Sequence, residues 1–450
     1  MNPLVLRSAV VAALGGLLFG FDTAVISGTT TALKSTFSLS PFALGFTVAT
    51  ALIGTIVGAL TAGKPADRFG RKKVLFAIGI LYFISAVGSG AVSNWFLFMF
   101  FRFIGGIGVG GASVVAPIYT AEIAPPKQRG RLVGLVQFNV TFGILLAYLS
   151  NYVLAASLDS SIAWRWMFIV EAIPAALFFL LLFTVPESPR WLFSVDRLED
   201  ARSTLARLVR DKEVAATEER EILQALEANR QALKVPFFVA KHRKMILLAI
   251  AIAAFNQLSG INAIMYYAPD IFRMAGASDS SAFMQSTVIG AINMVTTMLA
   301  LGVIDKVGRR TLMLVGSIGY LVSLGLIGAL FYVYPNGSMP GVPSAFVLIG
   351  LVLFIAAHAF GQGSVIWVFI SEIFPNRIRA RGQALGSFTH WFCAAVISWS
   401  FPAIAGTLGA GSAFTVFFVC MVGQLLWVLI VMPETKGIPL EEMEQKLLRK

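Results

Sequence analysis

The sequence predicts an all-α membrane protein, with twelve transmembrane helices in two pseudo-symmetric six-helix bundles and short cytoplasmic helices between them. Three observations predict it. Hydrophobic residues make up 57% of the 450 residues and charged residues 13%, with a mean hydropathy of +0.80, whereas a soluble domain carries roughly 25% charged residues. Twelve apolar stretches reach the ~20 residues needed to cross a hydrocarbon layer of ~30 Å. The motifs after the second, fourth and sixth stretches recur after the eighth, tenth and twelfth.

In chain order the stretches lie near 7–29, 43–63, 74–93, 95–121, 131–154, 163–185, 244–272, 282–304, 311–334, 344–371, 382–405 and 411–432. The first begins after the single Arg7 and runs on through Asp22 without a small-residue cleavage site, so it reads as a retained helix rather than a signal peptide. A net charge of +12 and a pI near 9.8 would suggest nucleic acid in a soluble protein, but 31 of the 35 Lys and Arg fall on one side of the alternating loops. Only Lys34, Arg165 and Arg273 lie on the other side, and Arg102 lies within a span. The positive-inside rule then places both termini in the cytoplasm of a multi-pass inner-membrane protein. Its partner is the lipid bilayer, and no nucleic acid is needed to explain the charge. Cys393 and Cys420 sit in the last two spans and read as small apolar residues. No disulfide, metal or cofactor is expected.

One long hydrophilic segment, Glu187 to Lys244, is rich in Arg and Glu and carries Leu198, Leu205, Leu208, Ile222 and Leu226 at helical spacing. It divides the chain into an N-terminal bundle (1–186), linker helices (187–243), a C-terminal bundle (244–433) and a cytoplasmic tail (434–450). The bundles repeat. Asp67-Arg68-Phe69-Gly70-Arg71 after the second span matches Asp305-Lys306-Val307-Gly308-Arg309 after the eighth. Glu122 and Arg129 recur as Glu372 and Arg379 with the same gap, and Pro186-Glu187-Ser188 recurs as Pro433-Glu434-Thr435. Duplication of six spans is the mark of parallel repeats in secondary transporters. In each loop the glycine turns the chain between two helices, while the acids and arginines can tie helix ends by charge-assisted hydrogen bonds. A cytoplasmic charge network is therefore expected from Asp67, Arg68, Arg71, Glu122, Arg129, Glu187, Arg190, Asp305, Arg309, Glu372, Arg379 and Glu434, biasing an alternating-access equilibrium. Orientation by positive charge alone is the simpler alternative, and it leaves the matched acids unexplained.

Three charged residues, Asp22, Arg102 and Glu171, fall inside spans, where an unpaired charge costs several kcal/mol and usually marks function. Counting from the outer helix ends at 1.5 Å per residue puts all three roughly 9 to 12 Å deep, so they can meet. A buried carboxylate changes its proton affinity when a neighbouring Arg moves, which is what proton coupling requires. A permanently ionised pair that only aligns helices is the alternative. The central spans also carry amides and Trp residues, groups that suit a ring of hydroxyls with one apolar face. Gly260 lies between Gln257 and Asn262, so the seventh helix is expected to break there and turn both amides inward.

Six motifs in order carry a resemblance. They are Gly20 to Gly28 (GFDTAVISG), the two Asp-Arg-Gly-Arg-type loops, Pro186 to Leu192 (PESPRWL), Asn256 to Asn262 (NQLSGIN), Gly363 to Trp367 (GSVIW) and Pro433 to Gly437 (PETKG). On these the chain resembles, over essentially its whole length, the sugar porters of the major facilitator superfamily, with more likeness to bacterial proton-coupled xylose and glucose carriers than to animal glucose facilitators. The resemblance implies proton-coupled uptake of a hexose or pentose by a carrier that works as a monomer. It also implies a proton site at Asp22 and Arg102, because proton-driven members carry Asp at that position and animal facilitators carry Asn. Gln137, Asn256, Gln257, Asn262, Asn293 and Trp367 match sugar-contact positions, Trp391 matches a cavity-lining aromatic, and Tyr266 and Tyr267 match an outer gate. Amides serving as interhelical glue and aromatics serving as an interfacial belt are the structural alternatives.

Four positions depart from the family pattern and leave the sugar preference open: Asn256 for Gln, Ser364 for Pro, His390 for Gln or Asn, and His358 for an aromatic. A neutral hydrogen-bonding His is the simpler reading of both histidines, titration near physiological pH the other. Asn139-Val140-Thr141 and Asn336-Gly337-Ser338 fit a glycosylation pattern only formally, the first inside a span. Two other functions stay open: a passive facilitator of the same fold, and a transporter-like sugar receptor, for which a tail of only Gly437 to Lys450 is short. No metal-ligand spacing, nucleophile elbow or phosphate loop suggests an enzyme.

Overall fold

Apolar length dictates the architecture. Among the described residues twelve helices are long and apolar enough to cross a membrane: Pro3–Gly28, Pro41–Thr61, Arg71–Ala91, Trp95–Ile123, Arg129–Ser157, Ser160–Thr184, Ala240–Tyr266, Asp279–Ile304, Arg309–Val333, Ala345–Ile373, Arg379–Leu408 and Ala410–Ile430. They are called the first to twelfth spans below. The structure is a computed structural model that describes residues 2–125, 128–209, 211–232, 236–334, 344–375, 377–438, 442–443 and 447, with the side chains of 228–232, 305 and 344 excepted.

Local chemistry sets the helix ends. Asn94 caps the fourth span by accepting the Leu97 amide at 3.1 Å, and Ser278 caps the eighth by accepting that of Ser281 at 3.4 Å. The second and third spans are joined through a short helix, Gly63–Phe69, and a turn at Gly70, and the eighth and ninth through a turn at Gly308. These two glycines share one backbone conformation, φ 101° and 103° with ψ 154°, which other residues adopt only under strain. Small residues let spans approach closely: a Cβ on Gly20 would run into the Val140 carbonyl, and one on Gly316 would meet the backbone of Gly361. Exposed Phe, Leu, Ile and Val side chains stud the spans, as helices solvated by lipid require.

The linker forms three helices, Pro189–Ser194, Leu198–Leu208 and Lys212–Ala232. Ser188 caps the first, which has Pro189 at its start. Their own small core gathers Trp191, Leu192, Phe193, Ala201, Leu205 and Ile222, with Leu226 half-buried against it. Leu198, expected on the apolar face, is exposed instead, because it opens its helix beside Arg197 and Glu199. Asn2 donates to the carbonyls of Arg207 and Leu208 at 2.7 and 2.9 Å, so the amino terminus lies against the linker.

Packing divides the chain into two compact units that are not continuous in sequence. One holds Met1–Asp22, Ile53–Ile144 and Phe168–Val235, and the other Thr23–Leu52, Leu145–Met167 and Pro236–Lys450. Specific ties explain why parts of the first, second, fifth and sixth spans count with the C-terminal spans. Thr30 donates to Asp270 at 2.6 Å, Tyr148 to the Met265 carbonyl at 2.6 Å, and the rings of Phe42 and Phe46 lie 5.2 and 5.0 Å from Trp399.

Candidate functional site

In the first unit the three intramembrane charges converge. Asp22, Arg102 and Glu171 are 2%, 3% and 1% exposed. Arg102 Nη1 donates to Asp22 Oδ1 at 2.5 Å, while Nη2 reaches the Asp22 carbonyl at 3.3 Å and Oδ2 at 3.4 Å. The guanidinium also lies 5.3 Å from the ring of Phe168, which is itself held edge-on by Phe98. Glu171 sits in a break of the sixth span between the helices Ser160–Ile169 and Ala172–Leu181, close enough to Asp22 and Arg102 to interact with both charges. Its Oε1 has no hydrogen-bond partner, nor have Arg102 Nε, Tyr82 Oη and Ser85 Oγ. A Cβ on Gly105 would strike Ser85 and stand 3.5 Å from Asp22 Oδ1, which brings the third span to the same place. Buried polar groups without partners are rare and costly. Here they surround an ion pair that leaves one carboxylate spare, an arrangement that can take up and release a proton. Tyr82 and Ser85 were not legible as site residues in the sequence; their only signal was a polar pair three residues apart in an apolar span.

In the second unit the seventh helix breaks as expected. Gly260 has φ +86° and separates Arg243–Leu258 from Ile261–Tyr266, with Phe417 packed where a Cβ would stand. Asn256 and Gln257 are buried at the break. Gln257 Nε2 donates to Asn256 Oδ1 at 2.9 Å and faces both ring nitrogens of His390 at 3.2 and 3.3 Å, while its Oε1 has no partner. Half-buried Asn262 has an unpartnered Nδ2. His390 lies between the two tryptophans, its ring 5.3 Å from Trp367 and 4.8 Å, edge-on, from Trp391. The structure therefore brings together Asn256, Gln257, Trp367, Trp391 and His390. Asn293 is buried in the eighth span, and Gln137 is exposed on the fifth span, in the first unit. Tyr266 and Tyr267 are buried; Tyr267 stacks on Phe401 at 5.3 Å and donates to the Ser398 carbonyl at 3.0 Å.

A buried polar chain went unnoticed in the sequence. Gln362 donates to Gln424 at 2.7 Å, and Gln424 donates to Ser317 at 2.8 Å, with all three fully buried. Gln362 lies in a π-helical turn, Ala359–Gly363, within the tenth span. Such turns frequently mark functional sites. Its position next to the Gly363 motif was the available signal. His358, just before that turn, shares a 2.6 Å hydrogen bond with Tyr320.

On the linker side, each repeat builds the same charge network within its own unit. Arg71 grips Glu122 with Nε and Nη2 at 2.9 and 3.0 Å, and Asp67 with Nη1 at 3.0 Å. Arg309 grips Glu372 in the same bidentate way at 3.1 and 2.8 Å. Glu187 accepts the amides of Lys72 and Ser188, while Glu434 accepts those of Arg309, Arg310, Thr435 and Lys436 at 2.9 to 3.0 Å. Either carboxylate fills the space a side chain would need at Gly70 or Gly308. Burial pushes the Glu187 carboxyl above its ordinary range despite its amides and Arg71. Burial also raises that of Glu434, but its four amide donors together hold it below. The matched arginines behave differently from the acids: Arg129 donates to the Ala121 carbonyl and Arg379 to that of Phe374, so each reaches backbone at a helix end. Arg68 lies over Phe69, and Arg190 and Arg129 both face Glu218 of the linker. The side chain of Asp305 and the Asn336-Gly337-Ser338 pattern lie outside the described residues.

A twelve-span chain with a buried ion pair, an amide and aromatic cluster at a broken helix, and duplicated charge networks is a membrane transport protein of the major facilitator fold. The family model described as "Sugar (and other) transporter" matches residues 8–447. The D-xylose-proton symporter of Escherichia coli K12 is 38% identical, covering 97% of this chain and 94% of that protein. The arabinose-proton symporter of Bacillus subtilis is 36% identical over 98% of this chain and 94% of its own length. The solved inward-open conformation of the xylose transporter XylE from E. coli superposes with a TM-score of 0.85 at 36% identity, covering 98% of this chain and 99% of that one. The chain belongs to the sugar transporter family.

Proposed function

We propose that this protein takes up a monosaccharide together with a proton by alternating access in the bacterial inner membrane, both termini facing the cytoplasm. The observation that carries the reading is the buried Asp22–Arg102 pair with a second carboxylate, Glu171, whose Oε1 has no partner. The xylose and arabinose carriers similar to it are proton symporters, which supports the same coupling and a pentose or hexose as substrate.

In this mechanism Asp22 and Glu171 compete for Arg102. Protonation of one carboxyl from outside weakens its hold on the guanidinium, and the loaded carrier can turn. Release of the proton to the cytoplasm restores the pair. The sugar binds through Gln257, Asn256, Asn262 and Asn293, with Trp367 and Trp391 against its apolar face and Tyr266 and Tyr267 closing the outer side. Residues 1–186 and 244–433 are the moving halves, joined by the linker at 187–243 and followed by the tail at 434–450, and one chain suffices. The Arg71–Glu122 and Arg309–Glu372 grips, with Glu187 and Glu434 behind them, hold helix ends on the cytoplasmic side and bias which way the carrier faces.

Uptake of labelled pentoses and hexoses into proteoliposomes, with and without an imposed pH gradient, tests coupling and substrate together. Accumulation above the outside concentration only when the gradient is present supports symport. Equilibration alone under both conditions assigns a facilitator.

A further inference from the structure

Where the seventh span begins and the twelfth ends, the second unit has a cavity of about 670 Å³ that the transport reading does not use. Lys241, Arg243 and Lys244 line its rim, and its wall includes Leu247, Ala251 and Trp427. The order is that of a bilayer boundary. Arg243 is exposed at the first turn of Arg243–Leu258, whereas Leu247 and Ala251, one and two turns further along the same helix, turn apolar surface outward at membrane depth. Trp427 lines the same cavity from the twelfth span and is held against Phe255 at 5.8 Å, which adds to its apolar wall.

We propose that this cavity binds an anionic phospholipid of the surrounding bilayer, the headgroup phosphate lying among Arg243, Lys244 and Lys241 and one acyl chain running down past Leu247 and Ala251. Cations at the rim, Arg243 and Lys244 first among them, complement the single negative charge of a phosphate diester. The apolar wall beneath has no use for a soluble anion, but it accepts a chain that reaches down from the headgroup. Basic pockets between spans on the positively flanked side are where anionic headgroups are held. The inference rests on membrane placement alone and is independent of the sugar and the proton.

The test uses the purified full-length chain in detergent, titrated with phosphatidylglycerol or phosphatidylcholine and read by native mass spectrometry. Phosphatidylglycerol should be retained in preference to phosphatidylcholine. Arg243→Gln with Lys244→Gln should weaken that retention by about 25-fold, roughly fivefold per cation near the surface, whereas Arg243→Lys with Lys244→Arg should preserve it. Ala251→Trp, which fills the wall and leaves every charge in place, should also lose the lipid. Equal retention of phosphatidylcholine, unchanged retention by the neutralised or the filled variant, or displacement of phosphatidylglycerol by inorganic phosphate would each overturn the proposal.

Discussion

Asp22→Asn separates coupling from translocation. Asn keeps the shape of Asp and an oxygen acceptor but cannot take up or release a proton. Arg102 makes its 2.5 Å contact with Asp22 Oδ1, and its 3.3 Å contact goes to the Asp22 main-chain carbonyl, which the substitution leaves in place. The variant therefore exchanges an ion-pair hydrogen bond for one from the guanidinium to a neutral oxygen, a cost of about 1 to 2 kcal/mol, below the 3 to 5 kcal/mol typical of removing one partner of a buried pair. Glu171 stays in range of Arg102 and keeps a second carboxyl beside the guanidinium. Folding should survive. One proton moving through 100 mV supplies about 2.3 kcal/mol, enough for roughly 40-fold sugar accumulation at 1.4 kcal/mol per tenfold. In proteoliposomes the accumulation ratio of Asp22→Asn should fall from that order to about 1, while counterflow driven by a sugar gradient persists. If the variant still concentrates sugar in response to a pH gradient, Asp22 does not carry the coupling and the argument from the buried pair fails.

Changing Gln257 or Asn262 to Ala should raise the half-saturation concentration about tenfold or more with expression intact, because each presents an unpartnered buried polar atom that a sugar hydroxyl can satisfy; wild-type kinetics in uptake assays would remove that residue from the site. Trp367→Ala should weaken sugar binding by about 1 to 3 kcal/mol, the scale of a lost aromatic contact, and calorimetry showing no change would leave Trp367 a packing residue. Glu122→Gln with Glu372→Gln releases both arginine grips and should favour the inward-open state, read as faster labelling of cysteines placed on the cytoplasmic side; slower labelling contradicts the bias assigned to the network. Glu434→Gln has a sign set by pH: a carboxyl held low in the folded chain contributes stability above its unfolded value of about 4.3 and loses it as pH falls through the folded value. The variant should thus melt lower than wild type from pH 7 down to about 4.3, with the gap closing as pH falls below that value, and a gap that stays constant well into the acid range would refute the linkage.

Much of this protein was determined by the sequence alone, wherever the controlling physics is local. The number and order of the spans follow from apolar length against a hydrocarbon layer of ~30 Å, and the break at Gly260 follows from a residue that tolerates positive φ. Asp22, Arg102 and Glu171 could be matched by counting because a helix rises by a constant amount per residue. Partner choice was a different matter. The spacing linked Glu122 with Arg129 and Glu372 with Arg379, yet the acids are gripped by Arg71 and Arg309, which arrive from helices 51 and 63 residues away in sequence. The chain Gln362–Gln424–Ser317, the placement of Tyr82 and Ser85 beside the ion pair, and the contact of His390 with Gln257 likewise join spans far apart in the chain. The compact units cut across the repeat for the same reason: Thr30 finds Asp270 and Tyr148 finds Met265 across more than a hundred residues. Sequence period reports which face of a helix is apolar, but the rotation of one helix against another is decided by how their surfaces pack, and only the tertiary structure contains that.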